Sequence, residues 1–361
     1  MAHIFYNTQL KRFKSLLSDK NGGISLTKKA ATIRDVARMI GMSEATVSLA
    51  LNGNPAVKAE TRQKVEDAAA ALGYVPNTNA RRLVMKRSGV IGIVVPEIEN
   101  VYYAVLVREL SECMAGIGYS LSIFISSNDA EKEYRAVSDM IAARVEGIVY
   151  VPINTSLSDQ RTHALLQNCG IPTVCMTTLT AGMNSVLCDM EGGMQKLLSH
   201  ILERRPSSVM YLSGPDGVYT LDCRRHAFVE AVADSGVTAD VISLPSVDYT
   251  RAQDAVRARI GNLPDVVICV NDFMALGVVN LFAEYGIAVP DDIMIAGFDD
   301  IIFSVASPVP LTTVRQDLHE MADRTADLLL RMIKDPNIRE DIRIPTELII
   351  RKSTRKGENI S

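Results

Sequence analysis

The length of 361 residues predicts two or three compact domains, and a content of 47% hydrophobic and 22% charged residues predicts a globular protein. No apolar run approaches the roughly 18 residues of a membrane span and no signal peptide is recognisable, so we expect a cytoplasmic protein rather than a membrane or exported one. The net charge of −4 is unevenly distributed, because residues 1–88 carry a charge of +9 and the remainder carries −13.

The basic N-terminal part indicates a partner that carries phosphate. A basic module attached to an acidic domain is typical of a nucleic-acid-binding protein whose second domain binds something else, and a solvated basic arm is the alternative. The six cysteines are scattered singly, without a CxxC pair or the spacing of a disulfide framework or zinc site. We therefore interpret them as reduced packing residues.

The first thirty residues show little pattern. The stretch "FYNTQLKRFKSLL" offers apolar residues at helical spacing for one or two amphipathic turns. We expect residues 1–30 to form a disordered N-terminal extension, or to reflect a start site assigned too far upstream.

Two short helices around a turn are predicted from Thr32 to Asn52. In "TIRDVARMI" the apolar residues recur at i, i+3, i+4 and i+7, and Thr32 is placed to cap the helix. Gly41 supplies a permissive turn backbone, and Ser43 is a suitable cap for the second helix, "EATVSLALN". The residues expected to face inward from this second helix are Ala45, Val47, Ala50 and Leu51.

A third amphipathic helix is predicted to begin near Ala59 and to stop at Gly73, and the three helices can share one small core. Its expected apolar face consists of Val65, Ala68, Ala69 and Leu72. In a helix-turn-helix the second helix enters the major groove of DNA by its N-terminal residues. The residues then expected to face DNA are Glu44, Ala45, Thr46, Ser48 and Leu49. A generic hairpin of small-residue helices is the alternative.

The stretch from Thr32 to Leu83 resembles the DNA-binding head of the lactose/galactose repressor (LacI/GalR) family of transcription regulators. The resemblance continues through "GVIGIVVPEIENVYYAVLVRELSECMAGIGYSLSI", "NDFMALGV", "IAGFDD", "PLTTVRQD" and "ELIIRKST". It therefore covers roughly residues 32–354 and implies a helix-turn-helix head, residues 31–75, attached to a two-lobe α/β body, residues 89–354.

The resemblance also implies roles for residues of the head. Base-reading positions would be Glu44, Ala45 and Leu49. Residues that position the DNA backbone would be Thr32, Thr46, Ser48, Asn52, Thr61 and Tyr74. Many relatives carry Arg where Leu49 stands, and Leu can only contact a thymine methyl or pack, whereas a guanidinium can bind guanine bidentately. This departure leaves the operator sequence open.

Residues 76–88 would form the family's hinge helix, which docks in the minor groove. An apolar wedge there kinks the duplex and allows extra contacts, and Leu83 matches the family's wedge. The DNA-binding residues expected in this segment are Asn77, Ala80, Arg81 and Leu83. Arg82, Lys86 and Arg87 can add phosphate contacts. The alternative is an ordinary basic interdomain linker.

In the body, short Val/Ile-rich runs alternate with helical segments, first as βαβαβ from Val90 to Ile153 and again after Asp189. Such runs predict strands covered on both faces, so we expect doubly wound parallel sheets in two similar lobes. The resemblance implies a body like that of periplasmic sugar-binding proteins, with three chain crossings near 188–189, 312–316 and 341–344. Lobe 1 would comprise about 89–188 and 317–343, lobe 2 about 189–314 and 344–354, and residues 355–361 a tail.

A ligand of such a body binds between the lobes, at the carboxyl ends of strands. Asp272 follows the strand "VVICV" and is the first candidate to accept hydrogen bonds from sugar hydroxyls, although an Asp before a helix is commonly a cap. The resemblance adds Arg224 as a donor and Tyr103 and Tyr249 as stacking rings, although a Tyr on a helix usually packs. All four are expected to converge on one pocket.

Enzymatic chemistry finds little support in the sequence. It contains no GxSxG, HExxH or GxxxxGK[ST] motif, and its five histidines lack metal-like spacing, so we expect neither catalysis nor a cofactor or metal. Asp299 and Asp300 in "GFDD" could pass for paired acids, but adjacent residues at a strand exit point apart, which favours a structural role.

The sequence thus favours a repressor that binds operator DNA as a homodimer and senses a small sugar or sugar derivative. An activator or a nucleobase sensor is the alternative within this class. A sugar-binding protein without DNA activity and an α/β enzyme are the alternatives outside it.

Overall fold

A computed structural model describes residues 31–74, 88–153 and 160–355. The chain divides into two compact units, one ending at Met85 and the other beginning at Lys86. The predicted N-terminal extension and the predicted hinge, with Asn77, Ala80, Arg81 and Leu83, lie outside the described residues.

The first unit contains the three predicted helices, α1 (Ile33–Ile40), α2 (Glu44–Leu51) and α3 (Ala59–Leu72). Thr32 caps α1 in a capping box with Asp35, because each side chain accepts a hydrogen bond from the other residue's backbone N–H. Gly41 ends this helix in the left-handed conformation, at a φ of 66°, and Ser43 caps α2. The sequence signals for these three helix boundaries are therefore confirmed.

The core of the head is built from one apolar stripe of each helix. Val36, Val47 and Val65 are fully buried at its centre. Two expectations were wrong: Ala45 is exposed, and Leu72 is 37% exposed. Ala45 lies about 200° around the helix from Val47 and so on the opposite face. Leu72 is the last residue of α3, a helix of 14 residues that is longer than the two eight-residue helices on which α3 packs.

The body alternates strands and helices. Its strands are, in chain order, β1 (Val90–Val95), β2 (Ser120–Ile125), β3 (Gly147–Tyr150), β4 (Thr173–Met176), β5 (Asn184–Cys188), β6 (Ser208–Ser213), β7 (Thr238–Ser243), β8 (Val266–Cys269), β9 (Met294–Ala296), β10 (Thr313–Gln316), β11 (Asp341–Ile344) and β12 (Thr346–Ile349). Its helices are α4 (Val101–Gly116), α5 (Ala130–Ala142), α6 (Gln160–Asn168), α7 (Met190–Leu202), α8 (Tyr219–Ala233), α9 (Tyr249–Arg257), α10 (Asp272–Glu284), α11 (Ile302–Ala306) and α12 (Leu318–Lys334).

These strands form two parallel sheets and one antiparallel pair. The first sheet, which defines lobe 1, has the order β11-β5-β4-β3-β1-β2. The second, which defines lobe 2, has the order β7-β6-β8-β9. Strands β10 and β12 pair antiparallel. The chain passes between the lobes after β5, through β10 and between β11 and β12, so three segments join them.

Burial differs between central and edge strands. All residues of β3, β4 and β8 are buried, as the Val/Ile runs predict. The edge strand β2 departs from that expectation, because Ile123 and Ile125 are 49% and 42% exposed. Within residues 31–74, 88–153 and 160–355, no helix is long and apolar enough to span a membrane.

Candidate functional site

The outward face of α2 carries the residues expected to read bases. Glu44, Ala45 and Leu49 are exposed, Leu49 by 43%, while Val47 is fully buried. Residues four apart share one helix face, so Ala45 and Leu49 present a small apolar surface together. This surface is compatible with the predicted contact to a thymine methyl and leaves Leu49 out of the core of the head.

The polar groups of this face are held by short-range contacts. Glu44 Oε1 accepts a hydrogen bond of 2.9 Å from Arg34 Nε, and both side chains are exposed. The hydroxyls of Thr46 and Ser43 lie 2.8 Å apart at the start of α2. The first turn of a helix favours anions, so the hydroxyls of Ser43, which is exposed, and Thr46, which is half-buried, are suited to phosphate.

The remaining head residues are less uniform. Asn52 Nδ2 donates a hydrogen bond of 3.3 Å to Ser48 Oγ, while the Thr32 hydroxyl donates to Asp35 at 2.6 Å. Thr61 is half-buried, and Tyr74 packs against the apolar core of the head.

In the body, a cleft lies where strand ends of both lobes meet. We define this cleft by its lining residues, which are Asn100, Tyr102, Tyr103, Thr177, Met190, Thr220, Leu221, Arg224, Val247, Val270, Asn271, Asp299 and Gln316. Several of them directly follow or closely follow the carboxyl ends of β4, β8 and β9, where ligands of parallel α/β sheets bind.

Arg224 projects into the cleft from α8. Its Nε donates to the carbonyl of Thr220 at 3.0 Å and its Nη1 to that of Val270 at 2.5 Å. The guanidinium lies over the ring of Phe298, 4.6 Å from its centroid, and Nη1 is 3.9 Å from Asp299 Oδ1. These contacts fix the guanidinium plane beside the cleft.

Asp299 is the acid that lines the cleft. Its Oδ1 accepts a hydrogen bond of 2.7 Å from Gln316 Nε2, and Gln316 Oε1 accepts one of 3.1 Å from the Tyr102 hydroxyl. Burial raises the pKa of Asp299 to about 6, opposed by the nearby charge of Arg224 and the hydrogen bond from Gln316. The network joins α4 of lobe 1 to lobe 2 through β10.

The structure corrects the placement of Asp272. Its carboxyl is fully buried outside the cleft, where Oδ2 accepts from Ser304 Oγ at 2.6 Å and Ile301 N at 3.1 Å. Oδ1 accepts from Thr313 Oγ1 at 2.6 Å. Asp272 is the first residue of α10, and the turn of the helix directs it inward, so the preceding cap residue, Asn271, lines the cleft instead. Burial raises the pKa of Asp272 to about 8.

The two tyrosines also differ. Tyr103 is buried in the cleft and packs edge-to-face on Tyr102, with ring centroids 5.2 Å apart. Tyr249 does not line the cleft, contrary to expectation: it begins α9, its hydroxyl accepts from Asn280 at 2.6 Å, and its ring packs on Phe273. Two of the four expected effector residues, Tyr103 and Arg224, therefore converge.

The side chains of the adjacent acids Asp299 and Asp300 point apart, as expected. Only Asp300 has a purely structural role. Its carboxylate accepts from Arg315 at 2.7 Å and Arg351 at 2.6 Å. Asp299 and Asp300 both have left-handed backbones, at φ of 107° and 51°, a conformation rare in non-glycine residues and frequent at functional sites. The sequence signal for Asp299 was its place just beyond strand "IMIA", the same rule that selected Asp272.

Comparisons with known proteins agree with this architecture. The ribose operon repressor of Bacillus subtilis (strain 168) is 32% identical over 331 residues, which cover 91% of this chain and 100% of that protein. The chain belongs to the lacI family of bacterial regulatory proteins. That family's model matches residues 32–77, and the model of the periplasmic binding protein-like domain matches residues 198–354.

Other members of the lacI family are similar over almost their whole length. Catabolite control protein A of Staphylococcus aureus (strain Mu50) is 28% identical over 329 residues, 90% of this chain and 99% of that protein. A crystal structure of the lac repressor dimer bound to operator and an anti-inducer matches at a TM-score of 0.79 and 25% identity, covering 90% of this chain and 99% of the other. The family and fold expected from the sequence are confirmed, and the chain is a DNA-binding transcription regulator rather than an enzyme.

Proposed function

We propose that this chain is a transcriptional repressor whose affinity for operator DNA is controlled by a small sugar or sugar derivative bound in the cleft. The observation that carries the proposal is the convergence of Arg224, Asp299, Asn271 and Gln316 on one cleft between lobes. Donors and acceptors placed beside aromatic rings suit a molecule with hydroxyls on its edge and C–H groups on its face. Similarity to ribose operon repressors supports the same ligand class.

The head supplies the DNA-binding part of the proposal. The basic charge of residues 1–88 and the exposed face of α2 suit major-groove binding. Residues 76–88 would act as the hinge that docks in the minor groove, as the resemblance implies.

A homodimer in the cytoplasm is the proposed assembly, because two heads then read two halves of a near-palindromic operator. The lac repressor is a dimer in its operator complex, which supports this state. Three apolar side chains of α11, Ile302, Phe303 and Val305, are 65%, 50% and 53% exposed. A second copy of the chain would cover such a surface.

Operator selection tests the proposal directly. The full-length protein is incubated with random duplex DNA, and the bound fraction is sequenced with and without a panel of sugars. We expect an enriched near-palindrome whose binding changes at least tenfold with one sugar. Absence of any enriched sequence would contradict the DNA-binding part, and an enriched operator insensitive to every sugar would contradict the effector part.

A further inference from the structure

The charges of the cleft cancel. Of the described residues that line it, only Arg224 and Asp299 carry a formal charge, and they lie 3.9 Å apart with side chains 7% and 9% exposed. A buried opposite pair at this distance presents little net field to a ligand. The cleft therefore offers hydrogen bonds without an excess of either charge.

The single cation of the cleft is partly engaged by the protein itself, because two of its five N–H donors bind backbone carbonyls. Arg224 has five N–H donors, and its contacts to the Thr220 and Val270 carbonyls engage the Nε and Nη1 groups. Tight phosphate sites use several charge-assisted hydrogen bonds, commonly from a guanidinium fork. A phosphate here would share one partly engaged guanidinium with the carboxylate of Asp299.

Acidic residues next to the lining residues further disfavour an anionic ligand in the cleft. Glu97 and Glu99 precede Asn100 in lobe 1, and Asp248 follows Val247 in lobe 2. The three carboxylates are close enough for Glu99 and Asp248 to help burial raise the pKa of Glu97. Their negative potential disfavours the approach of an anionic ligand.

One acceptor of the cleft remains available. Oδ1 of Asp299 accepts from Gln316, whereas Oδ2 has no hydrogen-bond partner among the described residues. A carboxylate oxygen accepts from hydroxyl donors and repels the oxygens of a phosphate dianion, which are acceptors.

We propose that the effector is an uncharged polyhydroxylated molecule, and that Asp299 excludes phosphorylated and carboxylated relatives of it. The inference rests on the proposed function, because it takes the cleft as the effector site. It narrows the ligand class from sugars and their derivatives to neutral sugars or sugar alcohols.

Calorimetric titration of the full-length protein against matched pairs tests this selectivity. The pairs are ribose with ribose 5-phosphate, glucose with glucose 6-phosphate, and glucose with gluconate, together with ribitol. At least one neutral member is expected to bind, and its charged counterpart to bind at least 100-fold more weakly. A charged member that binds as tightly as its neutral counterpart, or a panel without a neutral binder, would overturn the proposal.

The variant Asp299→Asn tests whether Asp299 causes the preference for neutral over phosphorylated ligands. The substitution leaves Arg224 without its counter-charge. It should weaken binding of the neutral ligand about 10- to 100-fold, and it should reduce the preference for the neutral over the phosphorylated ligand at least tenfold. Asp254→Asn, the same change at an exposed residue of lobe 2 paired with Arg257, should leave both values unchanged. Equal losses for neutral and phosphorylated ligands in Asp299→Asn would contradict the assignment.

Glu97→Gln is a second variant, for use if the thermal melt of Asp299→Asn shows that this protein does not fold. Glu97→Gln removes one acid beside the cleft and should reduce the preference against the phosphate a few-fold; an unchanged preference would contradict the role of these acids. Operator binding is measured on the same samples, so that failure of this inference is distinguished from failure of the proposed function. Operator binding with a preference for phosphates refutes only this inference, whereas absence of operator binding refutes the proposed function.

Discussion

Gln316 Nε2 donates a hydrogen bond of 2.7 Å to Asp299 Oδ1, and this contact ties the acid of the cleft to a segment that joins the two lobes. The same amide accepts a hydrogen bond from Tyr102 on α4 of lobe 1. A ligand that hydrogen-bonds to Asp299 therefore touches a network that spans both lobes, and a ligand can shift the lobes only through such differential contacts.

Gln316→Glu should weaken effector binding at least tenfold. The substitution replaces the donor to Asp299 with a second acid, and two carboxylates at this distance cannot both be ionised without a large cost. Titration calorimetry with the effector measures the change. Gln253→Glu is the control, because Gln253 is a half-buried glutamine of lobe 2 that donates to Gly277 away from the cleft. Equal affinities of wild type and Gln316→Glu would show that the network does not contact the ligand.

Effector affinity should fall as the pH drops below about 6. Burial raises the pKa of Asp299 to about 6, and a ligand hydroxyl donates best to the ionised carboxylate, so affinity is constant above this pKa and declines below it. The decline should approach about tenfold per pH unit. Asp272, the other acid that faces Asp299, has a pKa raised to about 8 and is therefore largely neutral in this range. Calorimetry between pH 5 and 7.5 measures the effector affinity. A wild-type affinity that depends on pH as little as that of Asp299→Asn would contradict the prediction.

Asp272→Ala should lower the free energy of unfolding of the body by about 3–5 kcal/mol, since it leaves buried donors on Ile301, Ser304 and Thr313 without their acceptor. Urea denaturation followed by circular dichroism measures the loss. Asp327→Ala, at an exposed acid paired with Arg331, should cost less than about 1 kcal/mol. A loss as small as that of the control would mean that Asp272 is not a structural acceptor.

Leu49→Arg should change which operator is preferred without unfolding the head. An Arg at this exposed position can donate to guanine O6 and N7, which should shift preference at one position per half-site by about 1–3 kcal/mol. Selection from random DNA and thermal melts measure both effects. Val47→Arg, which buries a charge in the core of the head, should instead lower the melting temperature strongly. An unchanged operator preference in Leu49→Arg would place the recognition surface elsewhere.

Leu83→Ala should weaken binding to the operator much more than binding to random DNA. Only a correctly bent site uses an apolar wedge, whereas phosphate contacts serve every sequence equally. Fluorescence anisotropy with operator and random duplexes compares the two losses, and equal losses would contradict the hinge role of residues 76–88.

Local chemistry in the sequence was enough to predict the helices of the head and the class of the body. Periodicity, the caps at Thr32 and Ser43 and the turn at Gly41 act over a few residues, so their outcome depends little on the rest of the chain. The alternation of Val/Ile runs with helical segments likewise predicts parallel sheets, because the intervening helices cover both faces of the sheet and the strands between them are apolar throughout. Where a second element had to supply the contact, as beside Leu72 or the edge strand β2, the prediction failed.

Only the tertiary structure decided which acid faces the cleft. Asp272 and Asp299 each follow closely on a strand end, so the sequence rule applies equally to both. One turns inward at the start of α10 and meets donors from α11 and β10, while the other is held by a left-handed backbone beside Arg224 and Gln316. These partners are 17 to 75 residues away in sequence, and their positions are set by how the two sheets and the three connecting segments pack together.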